Sequence, residues 1–145
     1  MFRIRRMKLS DINEIVDLSN RNMTENTVHL IYLWDLYETD LKFNFVCLES
    51  KNIIGFISCT INKCISCNAL CVDMPFRERR IGERLMNEVI EEGRHLSDKF
   101  KISLYVRADN VPAINFYIKM GFIIIKKHVP YYEDGGLGHY MEYSE

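Results

Sequence analysis

The sequence has few residues of the kinds that separate domains or interrupt a fold. Proline occurs 3 times and glycine 7 times in 145 residues, and no linker-like stretch rich in Pro, Gly or Ser, no repeat and no low-complexity run is visible. Linkers are normally rich in Pro, Gly or Ser, so their absence predicts a single domain over residues 1–145, a length that can bury one core. The hydrophobic content of 48% and the aromatic content of 12% exclude an intrinsically disordered chain.

Long apolar runs are also missing. Stretches such as 52–61 and 122–125 are far shorter than the roughly 20 residues that a membrane-spanning helix needs. Residues 1–6 alternate in the manner of a strand and lack the apolar segment of a secretory signal. A cytoplasmic protein without a membrane partner is therefore expected.

There is no excess of charge of one sign. The formal net charge is −1 and the isoelectric point is about 6.4. A nucleic-acid-binding domain normally has a domain-wide basic excess, so no nucleic acid is expected as a partner. The basic residues are instead concentrated at 77–84. Local positive charge of this kind suits a small polyanion, such as a nucleotide-bearing cofactor.

The five cysteines are an odd number, so they cannot all pair within one chain. Cys59, Cys64, Cys67 and Cys71 have spacings that partly match plant-type iron–sulfur ligands, and the C-x-x-C pair could equally begin a zinc site. No second C-x-x-C or paired His follows at ligand spacing. Reduced thiols and no metal are the expectation, with Cys67 and Cys71 on one face of a strand and Cys64 in a turn.

The order of apolar patterns predicts an α+β fold with a mixed sheet and helices on both faces. The predicted elements are a strand at 1–6, a helix capped by Ser10 or Asp11, a helix at 28–37, strands at 43–48, 53–61 and 67–74, a helix at 81–95, a strand at 102–107, a helix at 111–120, and strands at 122–127 and 138–143.

Residues 72–85 read as a buried strand that enters a basic, glycine-containing turn and then a helix. The first N–H groups of a helix have no intrahelical acceptor and lie at the positive end of the macrodipole, so they favour an anion. Gly82 has no Cβ and would let a diphosphate approach the backbone. A solvated helix start is the alternative. The cationic side chains in this segment are Arg77, Arg79, Arg80 and Arg84.

A second segment, 105–122, joins a strand to a short helix ending at a glycine. Together the two segments resemble the GNAT acyltransferase superfamily. Its cofactor motif, Q/R-x-x-G-x-G/A, falls on 77–82, with the departure that its first Gly is Arg80 here. An Arg at this position can serve the phosphates only if its Cβ points away from them. The later motif, N-x-x-A-x-x-x-Y-x-x-x-G-F, is met by Asn110, Ala113, Tyr117, Gly121 and Phe122.

Two further segments narrow the resemblance to the N-terminal acetyltransferases of the arrest-defective and RimI type, which acetylate protein α-amines. Residues 22–26 resemble the Leu-Pro-Glu-Asn loop of that branch, and 131–135 resemble its Tyr-Tyr-x-Asp-Gly signature. The resemblance spans nearly the whole chain. It implies the GNAT fold, acetyl-CoA as co-substrate, and protein N-termini or peptides as partners. An auxiliary or ribosome-associated subunit, or a homodimer, is compatible with it.

The resemblance also implies roles for individual residues. Glu25 would be the base, directly or through a water, and Tyr117 the acid for the departing thiolate. A main-chain N–H of 72–74 would face the oxyanion. The residues implied to hold the cofactor are Leu70, Cys71, Val72, Arg77, Glu78, Arg79, Arg80, Ile81, Gly82, Glu83, Asn110 and Tyr117. Those implied to hold the substrate are Met23, Thr24, Glu25, Tyr131, Tyr132 and His139.

Several of these residues have an ordinary structural explanation as well. Glu25 could belong to a helix-flanking turn, Tyr117 could be a core aromatic, and His139 is more often a surface or hydrogen-bonded core residue. Family members often carry further acid/base groups at positions that here hold Ser66 and Tyr105. Neither side chain is a usual base near neutral pH, although Tyr105 could orient a water.

Two other functions stay open at this stage. One is the same fold acetylating a small amine or a lysine side chain. The other is a non-catalytic regulator that binds CoA or a metal, which the cysteine cluster and the missing base at Ser66 and Tyr105 would favour.

Overall fold

The structure is a computed structural model that describes residues 1–23 and 43–145. The predicted helix at 28–37 lies outside the described residues, as do Thr24 and Glu25. The described strands are β1 Phe2–Arg6, β2 Phe45–Glu49, β3 Asn52–Ile61, β4 Ile65–Val72, β5 Lys101–Arg107, β6 Ile123–Pro130 and β7 Leu137–Ser144. The described α-helices are α1 Ile12–Asn22, α2 Ile81–Leu96 and α3 Val111–Met120, and two 3₁₀ turns cover Leu9–Asp11 and Met74–Phe76.

These strands form one mixed sheet in the order β1-β2-β3-β4-β5-β7-β6. Every neighbouring pair is antiparallel except β4 and β5, which run parallel. A parallel pair needs a long crossover, and here α2 supplies it. The predicted mixed sheet is confirmed.

Apolar side chains cover both faces of this sheet. On one side, which we call the α1 face, Ile12, Ile15 and Leu18 of α1 pack against strand residues that include Ala69 and Cys71. On the other, the α2 face, α2 and α3 pack over a larger cluster. The helical spacing of these positions explains why α1 and α2 each bury one side only. Helices on both faces, as predicted, follow from these two clusters.

One extra residue in β4 changes which side chains reach each face. Cys59 pairs with Cys67 and Ser58 pairs with Ala69, so Asn68 is a bulge. A bulge shifts the in-and-out alternation by one position. Cys67 therefore packs in the α2-face cluster and Cys71 in the α1-face cluster. The prediction that these two cysteines share a face is wrong, because it assumed an unbroken alternation.

The entry into α1 also differs from its prediction. Asp11 ends a 3₁₀ turn instead of capping the helix with its side chain. Its carboxylate accepts two hydrogen bonds from Arg5, at 2.7 and 2.9 Å, and one from the Lys8 N–H at 2.7 Å. Burial alone would raise the pKa of Asp11. The hydrogen bonds from Arg5 and Lys8 lower it by a larger amount, so the net shift is downward. This ion pair ties β1 to α1.

Most predicted boundaries agree with the described elements to within about two residues. The exception is the end of β6, which was predicted at 127 and lies at Pro130. The predicted strand at 67–74 is displaced by two residues at each end, since β4 begins at Ile65 and ends at Val72. A 3₁₀ turn containing Pro75 follows, and the Asp73 side chain accepts the Met74 N–H at 3.2 Å. Proline cannot continue a strand ladder, which explains the earlier end. In the described residues, no helix is long and apolar enough to cross a membrane.

We expect Asp11→Asn to lower the free energy of unfolding at neutral pH by about 2–3 kcal/mol, because charged hydrogen bonds are lost around a buried site. The folded-state pKa of Asp11 lies below its ordinary value of 3.8. Its stabilisation is therefore present above that value and is lost as the pH falls through the folded-state pKa. Urea unfolding between pH 2 and 7 would test this. If the free energy of unfolding of the variant fell as steeply at acid pH as that of the wild-type protein, the prediction would be contradicted.

Gly93 in α2 lies against the buried Phe100 ring, and a Cβ there would lie 2.4 Å from the ring. We expect Gly93→Ala to destabilise the protein by about 1–3 kcal/mol, although Ala is normally better than Gly inside a helix. Gly82→Ala is the matched control, because its Cβ would meet Phe116 at 3.5 Å, an ordinary contact. Thermal unfolding of both variants would decide, and equal effects would contradict the steric argument.

Candidate functional site

The two parallel strands separate shortly after they meet. The described ladder between β4 and β5 pairs Ile65 with Ile102 and Ser66 with Ser103, whereas β4 stays paired with β3 as far as Val72. We call the opening between β4 residues 67–72 and β5 residues 104–107 the fork. Backbone groups of β4 that face the fork have left the parallel ladder, so they can bind a ligand that lies between the strands.

The predicted strand residues of the cofactor site line this opening. Leu70 and Val72 pack toward the α2 face, and Cys71 is directed to the α1 face. Of the three N–H groups expected to face an oxyanion, that of Asp73 donates to the Ile54 carbonyl at 2.8 Å, and that of Met74 donates to Asn22 Oδ1 at 3.0 Å. The Val72 N–H is therefore the remaining candidate donor to an oxyanion.

The turn before α2 has the backbone shape of an anion site. Glu78 and Arg80 have positive φ values of 65° and 61°. The Arg84 N–H donates to the Arg80 carbonyl at 3.0 Å as the first bond of the helix, and the side chain of Arg80, the N-cap residue, makes no capping hydrogen bond. The N–H groups of Ile81, Gly82 and Glu83 therefore lie at an uncapped positive helix end. We call residues 78–83 the cradle.

The left-handed conformation of Arg80 explains why the family motif has glycine at this position, since a side chain is disfavoured there. A Cβ on Gly82 would lie 3.5 Å from the Phe116 ring of α3, which is an ordinary contact. The predicted close approach of a diphosphate at Gly82 stays a prediction.

Two of the predicted phosphate-binding arginines are held by contacts within the chain. Arg77 donates from Nε to the Val72 carbonyl at 3.1 Å and from Nη2 to Asn22 Oδ1 at 3.3 Å. The Arg79 guanidinium lies over the rings of Phe2 and Phe76, at 6.0 and 5.7 Å from their centroids. Their side chains therefore brace the cradle. The predicted phosphate contacts of Arg77 and Arg79 stay predictions, and Arg80 and the backbone are the other groups placed for an anion.

Asn22 connects this region to the end of α1. Besides accepting from Met74 and Arg77, it donates from Nδ2 to Asp73 Oδ1 at 2.9 Å. Arg21 lies 3.4 Å from the same carboxylate of Asp73. The Met23 N–H closes α1 on the Ser19 carbonyl. Asn22, the first residue of the predicted substrate loop at 22–26, is thus fixed to the cofactor turn, which sequence patterns alone did not indicate.

Tyr117 lies on α3 with its ring edge-on to Phe116 and Phe122, at centroid distances of 5.3 and 5.5 Å. Burial raises its pKa well above the ordinary value, and nearby Cys67, Cys59 and Tyr132 act in the same direction. A phenol of this kind stays protonated near neutral pH, so it can donate a proton. After burial, the residues that raise this pKa most are Cys67 and Cys59, which both lie on the α2 face.

Gly121 ends α3 as predicted, and Asn110 caps its start, which was not predicted. Asn110 Oδ1 accepts the Ala113 N–H at 3.3 Å, Pro112 is in the first turn, and Gly121 ends the helix in the left-handed region with a φ of 107°. This capping role of Asn110 does not conflict with its predicted cofactor contact. It holds Tyr117 at a fixed point along the helix.

Aromatic side chains form a wall at the open end of the fork. Tyr105 stacks on Tyr131 with centroids 3.9 Å apart and planes 6° apart, and Tyr132 meets Tyr131 edge-on at 5.0 Å. Burial raises the pKa of Tyr131, and it raises that of Tyr132 to about 12 although the nearby Arg107 opposes the shift. Both hydroxyls are therefore neutral donors and acceptors. We call Tyr105, Tyr131 and Tyr132 the aromatic wall.

Arg107 holds this wall in place and was not identified from the sequence. Its guanidinium lies 4.1 Å from the Tyr132 ring centroid, and its Nη2 donates to Asp134 Oδ2 at 2.7 Å. A Cβ on Gly136 would meet the Arg107 guanidinium, so a side chain there would displace it. The Asp of the Tyr-Tyr-x-Asp-Gly segment thus binds an arginine of β5, and Gly136, the residue after that segment, leaves room for the arginine. One sequence indication of this role was available, because Arg107 lies two residues after Tyr105 and so shares its face of β5.

His139 does not belong to the aromatic wall, which corrects its predicted role in substrate binding. It pairs with Val106 on β5, whereas Tyr140 pairs with Tyr105, and successive strand residues point to opposite faces. His139 is buried, and its Nδ1 accepts the His128 N–H at 3.2 Å. Burial lowers its pKa, as do the nearby His128 and Lys127. It is a hydrogen-bonded core histidine.

The cysteines show no arrangement for a metal. The bulge separates Cys71 from Cys59 and Cys67, and among the described residues no group of three or more His, Cys, Asp or Glu side chains could hold an ion. All five cysteines are free, and burial raises the pKa values of Cys47, Cys59 and Cys71, the last to about 11. Protonated buried thiols are chemically inert.

Comparison with known proteins identifies relatives along nearly the whole chain. An N-alpha-acetyltransferase of Sulfurisphaera tokodaii is 26% identical over 147 residues, covering 92% of this chain and 87% of that protein. The N-terminal acetyltransferase B complex catalytic subunit NAA20 of Arabidopsis thaliana is 25% identical over 143 residues, covering 93% and 82%.

Solved structures agree on the fold. Ard1 from Thermoplasma volcanium matches with a TM-score of 0.90 at 26% identity, covering 99% of this chain and 97% of its own. The ribosomal-protein-S18-alanine N-acetyltransferase from Escherichia coli matches with a TM-score of 0.86 at 19% identity, covering 99% and 94%, and supports the fold alone. The family model described as "Acetyltransferase (GNAT) family" matches residues 11–122. Since that match spans most of the chain and includes both the fork and the cradle, this protein belongs to the GNAT acetyltransferase family.

Proposed function

We propose that this protein transfers the acetyl group of acetyl-CoA to the α-amino group of protein N-termini. The observation that carries the proposal is the aromatic wall at the open end of the fork, with Tyr131 stacked on Tyr105 of β5. Such a wall suits an extended peptide end, because tyrosines offer apolar faces and hydrogen-bonding tips. The names of the Sulfurisphaera and Arabidopsis relatives support the same activity.

The described residues fit acetyl-CoA. The cradle offers the uncapped N–H groups of 81–83 and the cationic Arg80 to a diphosphate. The fork offers the freed backbone of Leu70–Val72 to the arm that follows. Glu78 and Glu83 would contribute through their backbone. When bound, acetyl-CoA supplies an acetyl group activated as a thioester.

The chain's own residues then handle protons and charge. An α-amino group has an ordinary pKa of about 7.7–8.0 against about 10.4 for lysine, so removing its proton is easier by roughly 3.4 kcal/mol. Glu25 is the proposed base through its family resemblance, with Met23 and Thr24 beside it. The Val72 N–H is the proposed donor to the developing oxyanion, and Tyr117 donates a proton to the departing sulfur. Burial keeps the Tyr117 phenol protonated before the step, and its raised pKa also makes it a weaker acid, so the transfer must coincide with departure of the sulfur.

A single domain over 1–145 acting in the cytoplasm is part of the proposal. An auxiliary subunit is a further proposed partner, because the Arabidopsis relative is named as the catalytic subunit of a complex. Lysine side chains or small amines are the second candidate substrates.

Arg80 allows stability and cofactor binding to be separated. We expect Arg80→Gly to raise the free energy of unfolding by about 1 kcal/mol, because glycine relieves the φ of 61°. The same change should weaken acetyl-CoA binding about 3- to 10-fold by removing a charge. Arg80→Ala is the control, since it loses the charge and keeps the strained conformation. Calorimetric titration and thermal unfolding would measure both quantities, and unchanged affinity in the two variants would remove Arg80 from the diphosphate site.

The proposed activity is tested by thiol release from acetyl-CoA with peptides that begin with Ser, Ala, Met-Leu or Glu. Each peptide is paired with an Nα-blocked copy that contains an internal lysine. We expect turnover with free N-termini and at least 10-fold less with the blocked copies, because the α-amine is the easier nucleophile. Equal turnover of the blocked copies would transfer the assignment to lysine side chains.

A further inference from the structure

Polar side chains cross three strands at the closed end of the fork, on the α1 face. Ser66 of β4 and Ser103 of β5 are the last pair of the parallel ladder, and their Oγ atoms are 3.4 Å apart. Ser103 in turn pairs with Glu142 of β7. Tyr140 of β7 donates from its hydroxyl to Glu142 Oε2 at 2.8 Å. We call Ser66, Ser103, Tyr140 and Glu142 the hydroxyl chain.

The register explains why these side chains meet. On β4, Ile65 and Cys67 pack in the α2-face cluster, so Ser66 between them points to the α1 face. Ile102 and Leu104 place Ser103 on the same face, and Met141 does so for Tyr140 and Glu142. The hydroxyl chain therefore shares its face with Tyr105, whose ring is 5.0 Å from that of Tyr140.

The links of the chain act on one another. Ser103 is buried, and its side-chain hydrogen bond lowers the pKa of Tyr140. Burial and the bond to Glu142 raise that pKa by more, so the phenol stays protonated. The Cys64 thiol lies 3.4 Å from Ser103 Oγ. The hydroxyl chain itself runs from Ser66 at the fork to the Glu142 carboxylate, two strands away.

We propose that Glu142, reached through the hydroxyls of Ser66, Ser103 and Tyr140, accepts the second proton that the amine loses, the one released as its nitrogen bonds to the acetyl carbon, whereas Glu25 takes the first proton from the ammonium group. This proposal rests on the proposed function. It addresses the lack of an ordinary base at Ser66 and Tyr105, because a hydroxyl can pass a proton on although it cannot keep one.

The transfer conserves protons at every step. As the amine nitrogen bonds to the acetyl carbon, its N–H proton passes to a water or to Ser66, and each hydroxyl receives one proton and releases its own to the next oxygen. The Tyr140 proton ends on Glu142 Oε2, which becomes a neutral acid. The three hydroxyls finish as they began. Product release returns the Glu142 proton to solvent, which its partly exposed side chain permits. Tyr117, which protonated the departing sulfur, regains one proton from solvent, so acetyl transfer from the neutral amine releases no proton overall.

Other charged or titratable groups around Glu142 and Tyr140 are few in the described residues. Lys101 of β5 lies 3.8 Å from Glu142 Oε1 and favours the carboxylate form. Lys126 of β6 is the residue paired with Tyr140, and the Cys64 thiol raises the pKa of Tyr140. Tyr105 faces Tyr140 from β5.

The chain contains a matched control for this arrangement. Tyr143 donates to Glu145 Oε2 at 2.9 Å, which repeats the Tyr-x-Glu spacing three residues later. Tyr143 packs toward the α2 face beside Phe100 and Phe122, away from Tyr105. Replacing this second pair removes the same groups without touching the hydroxyl chain.

The test compares Glu142→Gln and Tyr140→Phe with Glu145→Gln and Tyr143→Phe, using the best free-N-terminus peptide. We expect the first two to lower kcat about 10- to 100-fold, with KM for both substrates within about 2-fold, because positioned acid–base groups contribute factors of this size. The double variant should be no slower than the slower single variant, since both interrupt one path. The control pair should keep wild-type kcat.

Two further readouts separate a proton path from a structural role. Wild-type kcat should level off once the amine is neutral, near pH 8, whereas kcat of Glu142→Gln should continue to rise as hydroxide replaces the lost acceptor. Formate should partly restore Glu142→Ala and leave Glu145→Ala unchanged. Ser103→Ala, which alters no charge, should reproduce the loss if the other variants fold poorly.

Wild-type kcat with a normal plateau in Glu142→Gln would overturn the proposal, as would an equal loss in the control pair. Failure of the proposed function would look different, because wild-type protein would then acetylate the blocked, lysine-containing peptides. The same variants measured on that lysine substrate would test the hydroxyl chain independently.

Discussion

The separation of β4 from β5 is the constraint on which the rest of the site depends. Two residue pairs join these strands, and beyond Ser66 and Ser103 the backbone of β4 leaves the ladder. A sheet normally satisfies its N–H and C=O groups internally, so an opening in its centre can persist only if the surrounding elements hold both sides apart. Here β3 stays paired with β4 to Val72, and β7 stays paired with β5 along its whole length. The cradle, the aromatic wall and Tyr117 are all arranged around this gap.

Much of the fold could be predicted because the patterns that determine it are local. The helical spacing in α2 and the Asn110 and Gly121 boundaries of α3 agreed with the structure, since capping and periodicity are properties of short segments. The family resemblance predicted which segments of the chain form the site. The resemblance itself is confirmed by the family match. The bulge at Asn68 could not be predicted, because nothing in that residue type distinguishes a bulge from an ordinary strand position. It changed the face assigned to Cys71.

The site was predicted less completely than the fold, and for a consistent physical reason. Motifs identify which residues lie near a ligand, but side-chain partners come from elements distant in the sequence. Arg77 and Arg79 are basic as the motif implies, yet Asn22 and two phenylalanines determine where their charges lie. Arg107 was not identified because it acts through Tyr132, which lies on a distant segment. Glu142 was not identified because it acts through Tyr140, two residues before it on β7. Single-sequence patterns do not contain that information.

The network around Asn22 has a consequence for how the two ligands influence each other. One amide side chain bonds to the turn that leads into the cradle and also ends the helix that leads into the predicted substrate loop. A change in the turn on cofactor binding would therefore reach the first residue of that loop directly. Thermodynamic reciprocity then requires that any effect of the cofactor on peptide affinity be matched by an equal effect of the peptide on cofactor affinity. A short polar side chain is thus a direct connection between the two predicted binding regions.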